Sequence, residues 1–354
     1  MIKNNKFNLR LRNLPDKIWF LIVKIDKLHG QWIAGSKLHP HILGRLKKSV
    51  LITSTGSSTR IEGARLSDQE IERMLRNVSM QKFIDRDEQE VRGYYELLEN
   101  LFNSWKNLSF NKNLIKHFHG ELLRYVEKDQ EHRGHYKKQE NKVHMINKAG
   151  DSVGVLFDTT PAYLTPKEMQ ELIEWTQNAF KEKEIHPLLI IGNFVVEFLN
   201  IHPFIDGNGR LSRILTNFLL LKEGYEYVPY VSHEKLIEDN KPDYYLALRK
   251  SQKTIKTKKE NIVFWLEFFL EILLKQSREA VDLLLNESIE NILTRKQLMV
   301  WEYLESVDEA SPLKISQETK VLLPTVRQTL NKLIKLKRVS RSGQGRGVVY
   351  SKIR

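Results

Sequence analysis

Residues 202–213 read His-Pro-Phe-Ile-Asp-Gly-Asn-Gly-Arg-Leu-Ser-Arg, and these types at this spacing suit chemistry on a nucleoside triphosphate and its metal. His202 carries a ring whose ordinary pKa lies near neutrality, so it can take a proton from an attacking hydroxyl. Asp206 supplies the hard oxygen ligand that Mg²⁺ requires, with phosphates and water completing the shell. Gly207, Asn208 and Gly209 open a helix. Glycines let the backbone approach an anion closely, and the first N–H groups of a helix point toward it. Arg210 and Arg213 lie three apart, on one side of that helix, and suit the charge of the β- and γ-phosphates.

The elements that must position this stretch read mainly as helix. Apolar residues recur at three-and-four spacing over 18–28, 88–102, 166–180, 187–199 and 211–222. Pro166 and Pro187 suit first-turn positions. Ser67-Asp68-Gln69-Glu70 reads as a capping box, and Gly224 as a helix C-cap. Residues 143–146 and 153–157 flank the polar run 147–152, which reads as a β-hairpin. A long amphipathic helix is expected over 261–293. The pairs His117/His119 and His132/His135 lack carboxylate or cysteine support at a matching spacing and read as structural rather than metal-ligating.

All eight fixed positions of the pattern H-x-F-x-[DE]-G-N-G-R-x-x-R are present, and the chain resembles the Fic (Fido) family, whose members mostly transfer AMP from ATP to a protein hydroxyl. The resemblance implies His202 as general base, Asp206 as magnesium ligand, Gly207 to Gly209 as anion hole, Arg210 and Arg213 as phosphate ligands, and Phe204 as a buried anchor of the loop. The hairpin resembles the family's flap, which aligns target peptides by strand pairing, with Val143, Ile146, Val153 and Val155 as docking candidates. Gly134-His135-Tyr136-Lys137 is similar to the family's G-x-[YF]-R approach to the flap, with Lys137 in place of the usual arginine. Asp243 to Leu248 resembles a Tyr-Tyr-x-x-Leu helix beside the adenine, which makes Tyr245, Leu248 and Gln252 candidates for base contacts.

Ser58-Thr59-Arg60-Ile61-Glu62-Gly63 resembles the inhibitory pattern [ST]-x-x-x-E-[GN] of the class II members, marking Ser58, Glu62 and Gly63. In the family the glutamate pairs with the second arginine, here Arg213, and blocks seating of the γ-phosphate. Composition reads 53–59, rich in Ser and Thr around Gly56, as a loop, whereas the resemblance places a helix there.

The chain has 354 residues, a net charge of +13 and no cysteine, which excludes disulfides and thiolate metal sites. No apolar run is long enough to span a bilayer and the N-terminus lacks a signal-peptide pattern, so cytoplasmic residence without a membrane partner is expected. From Ala310 to Arg354 eleven Lys or Arg stand against one Glu, a net of +10. Helices at 295–306, 316–319 and 324–336, followed by strands at 339–341 and 348–351 around a glycine-rich basic turn, give the order of a winged helix-turn-helix. The expected fold is mainly α: a Fic-type helical bundle with a small β-hairpin flap, plus a C-terminal winged-helix domain. The expected division is 1–85, an N-terminal helical region carrying the inhibitory motif; 86–285, the catalytic domain; and 286–354, the winged helix.

The reading is a Mg²⁺-dependent protein adenylyltransferase that uses ATP, modifies an unidentified protein and itself at Tyr, Ser or Thr, and is repressed in cis. Two alternatives stand beside it: removal of AMP by the same site, and a nucleotide-sensing DNA-binding regulator. The tail is expected to meet DNA or protein, and a homodimer follows by family analogy alone.

Overall fold

A computed structural model describes residues 5–36, 40–76, 85–146, 152–336, 338–343 and 348–353. The chain divides into two compact units, Met1–Val281 and Asp282–Arg354. The first contains α1 Lys6–Leu9, α2 Asp16–Ser36, α3 Pro40–Ile61, α4 Asp68–Arg76, α5 Arg86–Ser104 and α6 Lys112–Leu122, then strands β1 Lys142–Ile146 and β2 Ser152–Asp158. It continues with α7 Thr165–Glu182, α8 Pro187–Ile201, α9 Asn208–Lys222, α10 His233–Asp239 and α11 Lys241–Gln252; α12, Val263–Ile292, follows. The second unit contains α13 Arg295–Glu305, α14 Pro312–Thr319, α15 Leu323–Lys335 and the hairpin β3 Val339–Ser342, β4 Val349–Lys352.

The core of the first unit is α8 and α9. Every residue of α8 from Leu188 to Ile201 is buried, and α9 is buried from Arg210 to Leu221. A helix apolar all round must be wrapped by others, and α7, α5, α6, α3 and α11 do this through direct contacts with one or the other. Pro187 occupies the first turn of α8, where its missing N–H costs nothing. The Ser67 capping box forms, with Ser67 N–H 2.8 Å from Glu70 Oε2 and Glu70 N–H 3.3 Å from Ser67 Oγ. Gly224 takes φ +91° after α9, where its N–H bonds Leu221 O at 3.1 Å.

β1 and β2 pair antiparallel, with Val143 opposite Phe157, His144 opposite Val155 and Ile146 opposite Ser152. The hairpin expected from the sequence therefore forms. Its turn, 147–151, lies outside the described residues, as does Arg346 in the basic turn of the tail. In the second unit Val300, Trp301, Leu304, Ile315, Val326, Leu330, Leu333, Val339 and Tyr350 make one core. Ala310 adds a bridge to Tyr350, with reciprocal backbone bonds of 3.0 and 2.9 Å.

Candidate active site

The loop between α8 and α9 carries the site. α8 ends because His202 turns left-handed, at φ +51° and ψ +62°, while its N–H still bonds Phe198 O at 2.9 Å. Only glycine adopts this conformation without strain, so the surroundings must hold it. The His202 ring is half-buried, with Nδ1 3.3 Å from Leu199 O. A carbonyl can only accept, so Nδ1 carries the hydrogen and the basic lone pair falls on Nε2. Burial, helped by the charge of Lys137, pushes the ring down to about 4 against the opposing pull of Leu199 O, Glu62 and Asp206. The ring is therefore a neutral proton acceptor near pH 7.

Phe204, fully buried, anchors the loop as expected: its ring stacks on His119 at 3.8 Å with 8° between planes. Asn208 Oδ1 accepts from Phe204 N–H at 3.0 Å, and its Nδ2 returns a bond to Phe204 O at 2.8 Å. Gly207 then takes φ +76° and α9 begins with no side chain capping its start. The first N–H groups of α9 are thus presented at the end of a helix whose dipole favours an anion.

Arg210 and Arg213, both buried, have separate partners. Arg210 Nη1 lies 2.7 Å from Glu90 Oε2 and its Nη2 3.0 Å from Asp206 Oδ2. Arg86, on the first turn of α5, closes a ring of alternating charge: its Nη2 is 2.7 Å from Asp206 Oδ2 and its Nε 2.8 Å from Glu90 Oε1. Burial works against the Asp206 charge, yet Arg210, the Gly207 N–H and Arg86 together hold its carboxyl below the usual range. Both arginine contacts fall on Oδ2 and the side chain is 34% exposed, so this carboxylate fits a metal that arrives with phosphates. Among the described residues no group of three His, Cys, Asp or Glu could hold a metal by itself.

Arg213 is held from α3. Its Nε donates to Ser58 Oγ at 2.8 Å, and its Nη2 to Ser58 O at 2.9 Å and Glu62 Oε1 at 2.8 Å. Burial opposes this charge, but Glu62 and the nearby Tyr244 and Tyr94 raise the guanidinium's pKa above its ordinary value. The Glu62 carboxylate also rests on the start of α9: a Cβ on Gly209 would meet it, 3.0 Å from Cδ. One carboxylate therefore engages Arg213 and covers Gly209 at the start of α9.

The loop reading of 53–59 is corrected here, because these residues lie within α3. Three of their hydroxyls find partners compatible with the helix: Thr59 Oγ1 donates back to Thr55 O at 2.9 Å, Ser54 Oγ donates to Ser232 Oγ at 2.8 Å, and Ser58 Oγ accepts from Arg213 Nε at 2.8 Å. Gly56 is required by a close approach, since a Cβ there would lie 2.5 Å from both Arg60 Nη1 and Asp68 Oδ1. The end of α3 is pinned by Arg60, whose Nε is 2.6 Å from Glu238 Oε1 on α10. Gly63 follows Glu62 with φ +110°.

Of the residues expected near an adenine, Leu248 is buried and Tyr245 places its hydroxyl 3.3 Å from Ile61 O. Gln252 is 5% exposed, and neither atom of its amide has a hydrogen-bond partner. Of the flap candidates Val143, Ile146, Val153 and Val155, the backbone register alone is described.

Several contributing residues escaped sequence reasoning. Arg86 and Glu90 show their i,i+4 spacing, but nothing ties them to Asp206, 120 positions away. His119, already read as structural, is fully buried: its Nδ1 accepts from Gly134 N–H at 2.8 Å and its Nε2 faces Asp206 O at 3.0 Å. Glu234, buried and held near 2, receives Tyr94 Oη at 3.0 Å and Asn217 Nδ2 at 2.7 Å behind Arg213.

Residues 109–220 match the Fic/DOC family, and over that stretch the chain is a Fic/DOC family domain. A probable protein adenylyltransferase of Aquifex aeolicus is 37% identical over 84 residues, which are 24% of this chain and 25% of that protein. A protein adenylyltransferase Fic of Drosophila grimshawi is 42% identical over 57 residues, 16% of this chain and 12% of that protein. The alignments thus span a quarter or less of these curated relatives. Among solved structures, a Fic family protein from Desulfovibrio desulfuricans aligns with TM-score 0.63 at 22% identity, covering 96% of this chain and 97% of that one. Fic-1 from C. elegans aligns with TM-score 0.58 at 18% identity, covering 77% and 74%. These two establish a shared fold. Among the described residues no helix is long and apolar enough to cross a membrane.

Proposed function

We propose that this chain transfers AMP from ATP to a Tyr, Ser or Thr hydroxyl of a protein target and of itself, and that Glu62 restrains the transfer. The observation that carries this reading is the Glu62–Arg213 pair laid over Gly209, beside a neutral His202. His202 Nε2 takes the proton of the target hydroxyl as that oxygen bonds to the α-phosphorus. The bond from the α-phosphorus to the bridging oxygen of the β-phosphate breaks, and pyrophosphate leaves. The N–H groups at the start of α9, with Arg210 and Arg213, stabilise the charge that collects on the phosphates. Asp206 would hold Mg²⁺, which supplies charge neutralisation at the phosphates when bound. The unpartnered amide of Gln252 supports a polar contact to the base, with Leu248 and Tyr245 as its apolar wall. The flap strands offer paired backbone to a target segment.

The test uses two labels. ATP labelled at the α-phosphate, given to wild type, Glu62→Gly and Glu62→Gly/His202→Ala, should mark protein in the first two, most strongly in the second. ATP labelled at the γ-phosphate should mark none. Release of AMP from modified protein by wild type, without net incorporation by any variant, would replace this reading with AMP removal.

The second unit supports a nucleic-acid partner. α15 buries Val326, Leu330 and Leu333 and exposes Arg327, Gln328, Asn331 and Lys335 on its opposite side. Those types read base edges and phosphates when a helix of a winged helix-turn-helix enters a major groove.

A further inference from the structure

We propose that Lys137 is a positioning residue for the transfer, tying both ends of the flap to the loop that carries His202. This rests on the adenylyl-transfer reading above and adds a residue to it.

Lys137 is 3% exposed, in the stretch before the hairpin. Its ammonium directs all three donors at protein oxygens: Asn141 Oδ1 at 2.7 Å, Thr159 Oγ1 at 2.8 Å and Ile201 O at 3.1 Å. Asn141 immediately precedes β1 and Thr159 immediately follows β2. The two ends of the hairpin are thus drawn together on one nitrogen. They also meet each other, with Thr159 Oγ1 2.8 Å from Asn141 O and 2.6 Å from its Oδ1.

The same cluster grips the catalytic loop on both sides of His202. Ile201 O is taken by Nζ, Pro203 O accepts from the Lys137 N–H at 2.9 Å, and Phe204 O accepts from Asn141 Nδ2 at 2.9 Å. His202 stands between these clamps in its strained left-handed conformation. Holding the carbonyls before and after it is what fixes such a backbone, and with it the aim of the ring. The charge also acts on the base: Lys137 is among the groups that keep His202 neutral. Glu140, Glu168 and Lys256 are the other charged groups that act on Lys137. Burial lowers its own pKa to about 8, so the hub begins to lose its third donor near that pH.

A neutral side chain of similar length should break the hub and spare the nucleotide site. In a Glu62→Gly background, Lys137→Met is expected to lower kcat for AMP transfer roughly 10- to 100-fold, because the base and flap lose their alignment. Calorimetric affinity for Mg²⁺·ATP should stay within about threefold. Hydrogen–deuterium exchange should rise in residues 142–146, 152–158 and 202–206 and remain unchanged in α8. Lys137→Arg, which keeps charge and donors, should recover most of the rate. Thr159→Val, a milder change, should show the same exchange pattern at smaller amplitude. Unchanged exchange in the flap and loop of Lys137→Met, or a rate within twofold of its parent, overturns the assignment. So does equal loss in Lys137→Met and Lys137→Arg. If the Glu62→Gly parent itself transfers no AMP, the transfer reading fails, while the exchange data still judge the hub.

Discussion

Glu62→Gly removes one carboxylate that does two things, and the magnitude of the first follows from the geometry. Glu62 Oε1 lies 2.8 Å from Arg213 Nη2, and the carboxylate covers the Gly209 face proposed to receive a phosphate. A charge-assisted bond of this kind is typically worth about 1.5–3 kcal/mol. The Glu62 side chain is 34% exposed, so water screens part of the interaction and about 1–2 kcal/mol is the better figure. That corresponds to a shift of roughly 5- to 30-fold toward the conformation with Arg213 available. Arg213 is not set adrift by the change, because its bonds to Ser58 Oγ and Ser58 O remain. Initial rates of labelled AMP incorporation should therefore rise about 5- to 30-fold in Glu62→Gly. Arg213→Ala should not mimic this, since it removes the phosphate ligand with the inhibitor's partner, and the double variant should match Arg213→Ala. Equal rates for wild type and Glu62→Gly would refute the reasoning, as would a fast double variant.

Four further outcomes are expected. In the Glu62→Gly background His202→Ala should lose about 10²- to 10⁴-fold in transfer with ATP affinity largely kept, measured by labelled incorporation and calorimetry. Asp206→Ala should abolish the dependence of ATP affinity on Mg²⁺, read by calorimetry with and without the metal. His119 and His202 both sit near 4, below their ordinary 6.5, so the unfolded chain binds protons that the folded chain refuses. Their contribution is present above pH 6.5 and is lost as pH falls toward 4, which melting curves of wild type and His202→Asn across that window should show as a smaller loss in the variant. Duplex DNA should bind the chain with affinity that falls steeply between 50 and about 200 mM salt, and Arg327→Ala with Lys335→Ala should flatten that slope in a fluorescence titration.

How much of this was legible in the sequence depended on where each partner lies. The 202–213 stretch is readable because its pattern is local: the helix start, the two glycines and the three-residue arginine spacing all fall within the first two turns of α9 and their approach. The long helices were readable from apolar period, and the hairpin from the polar run between two β-branched segments. The 53–59 segment misread as loop because Ser and Thr favour turns when their hydroxyls seek the nearest backbone. Here the oxygens of Ser54 and Ser58 meet Ser232 and Arg213, 178 and 155 positions away, and α3 persists. Arg86 was invisible for the same reason, its decisive partner being Asp206. Lys137 was noticed as a departure from a pattern, but its function as a hub needs Asn141, Thr159 and Ile201 together in space.

The resting site has a consequence for how nucleotide must enter. Both arginines proposed for phosphate face carboxylates: Arg210 faces Glu90 and Asp206, and Arg213 faces Glu62. Asp206, the carboxylate proposed for the metal, faces two cations, Arg86 and Arg210. A triphosphate arriving alone would displace Glu62 and leave Asp206 competing with phosphate for Arg210, so like charges would crowd one buried loop. Were Mg²⁺ to accompany the triphosphate, Asp206 would gain a cation as Arg210 and Arg213 gained anions, so that each broken pair would be replaced by another. Arg86, 51% exposed, can then leave Asp206 for solvent or for Glu90 without a buried charge being stranded. On the adenylyl-transfer reading, metal and nucleotide therefore load as one unit. Glu62 acts on the anion half of that exchange, since it touches Arg213 and Gly209, whereas Asp206 is held by Arg86 and Arg210.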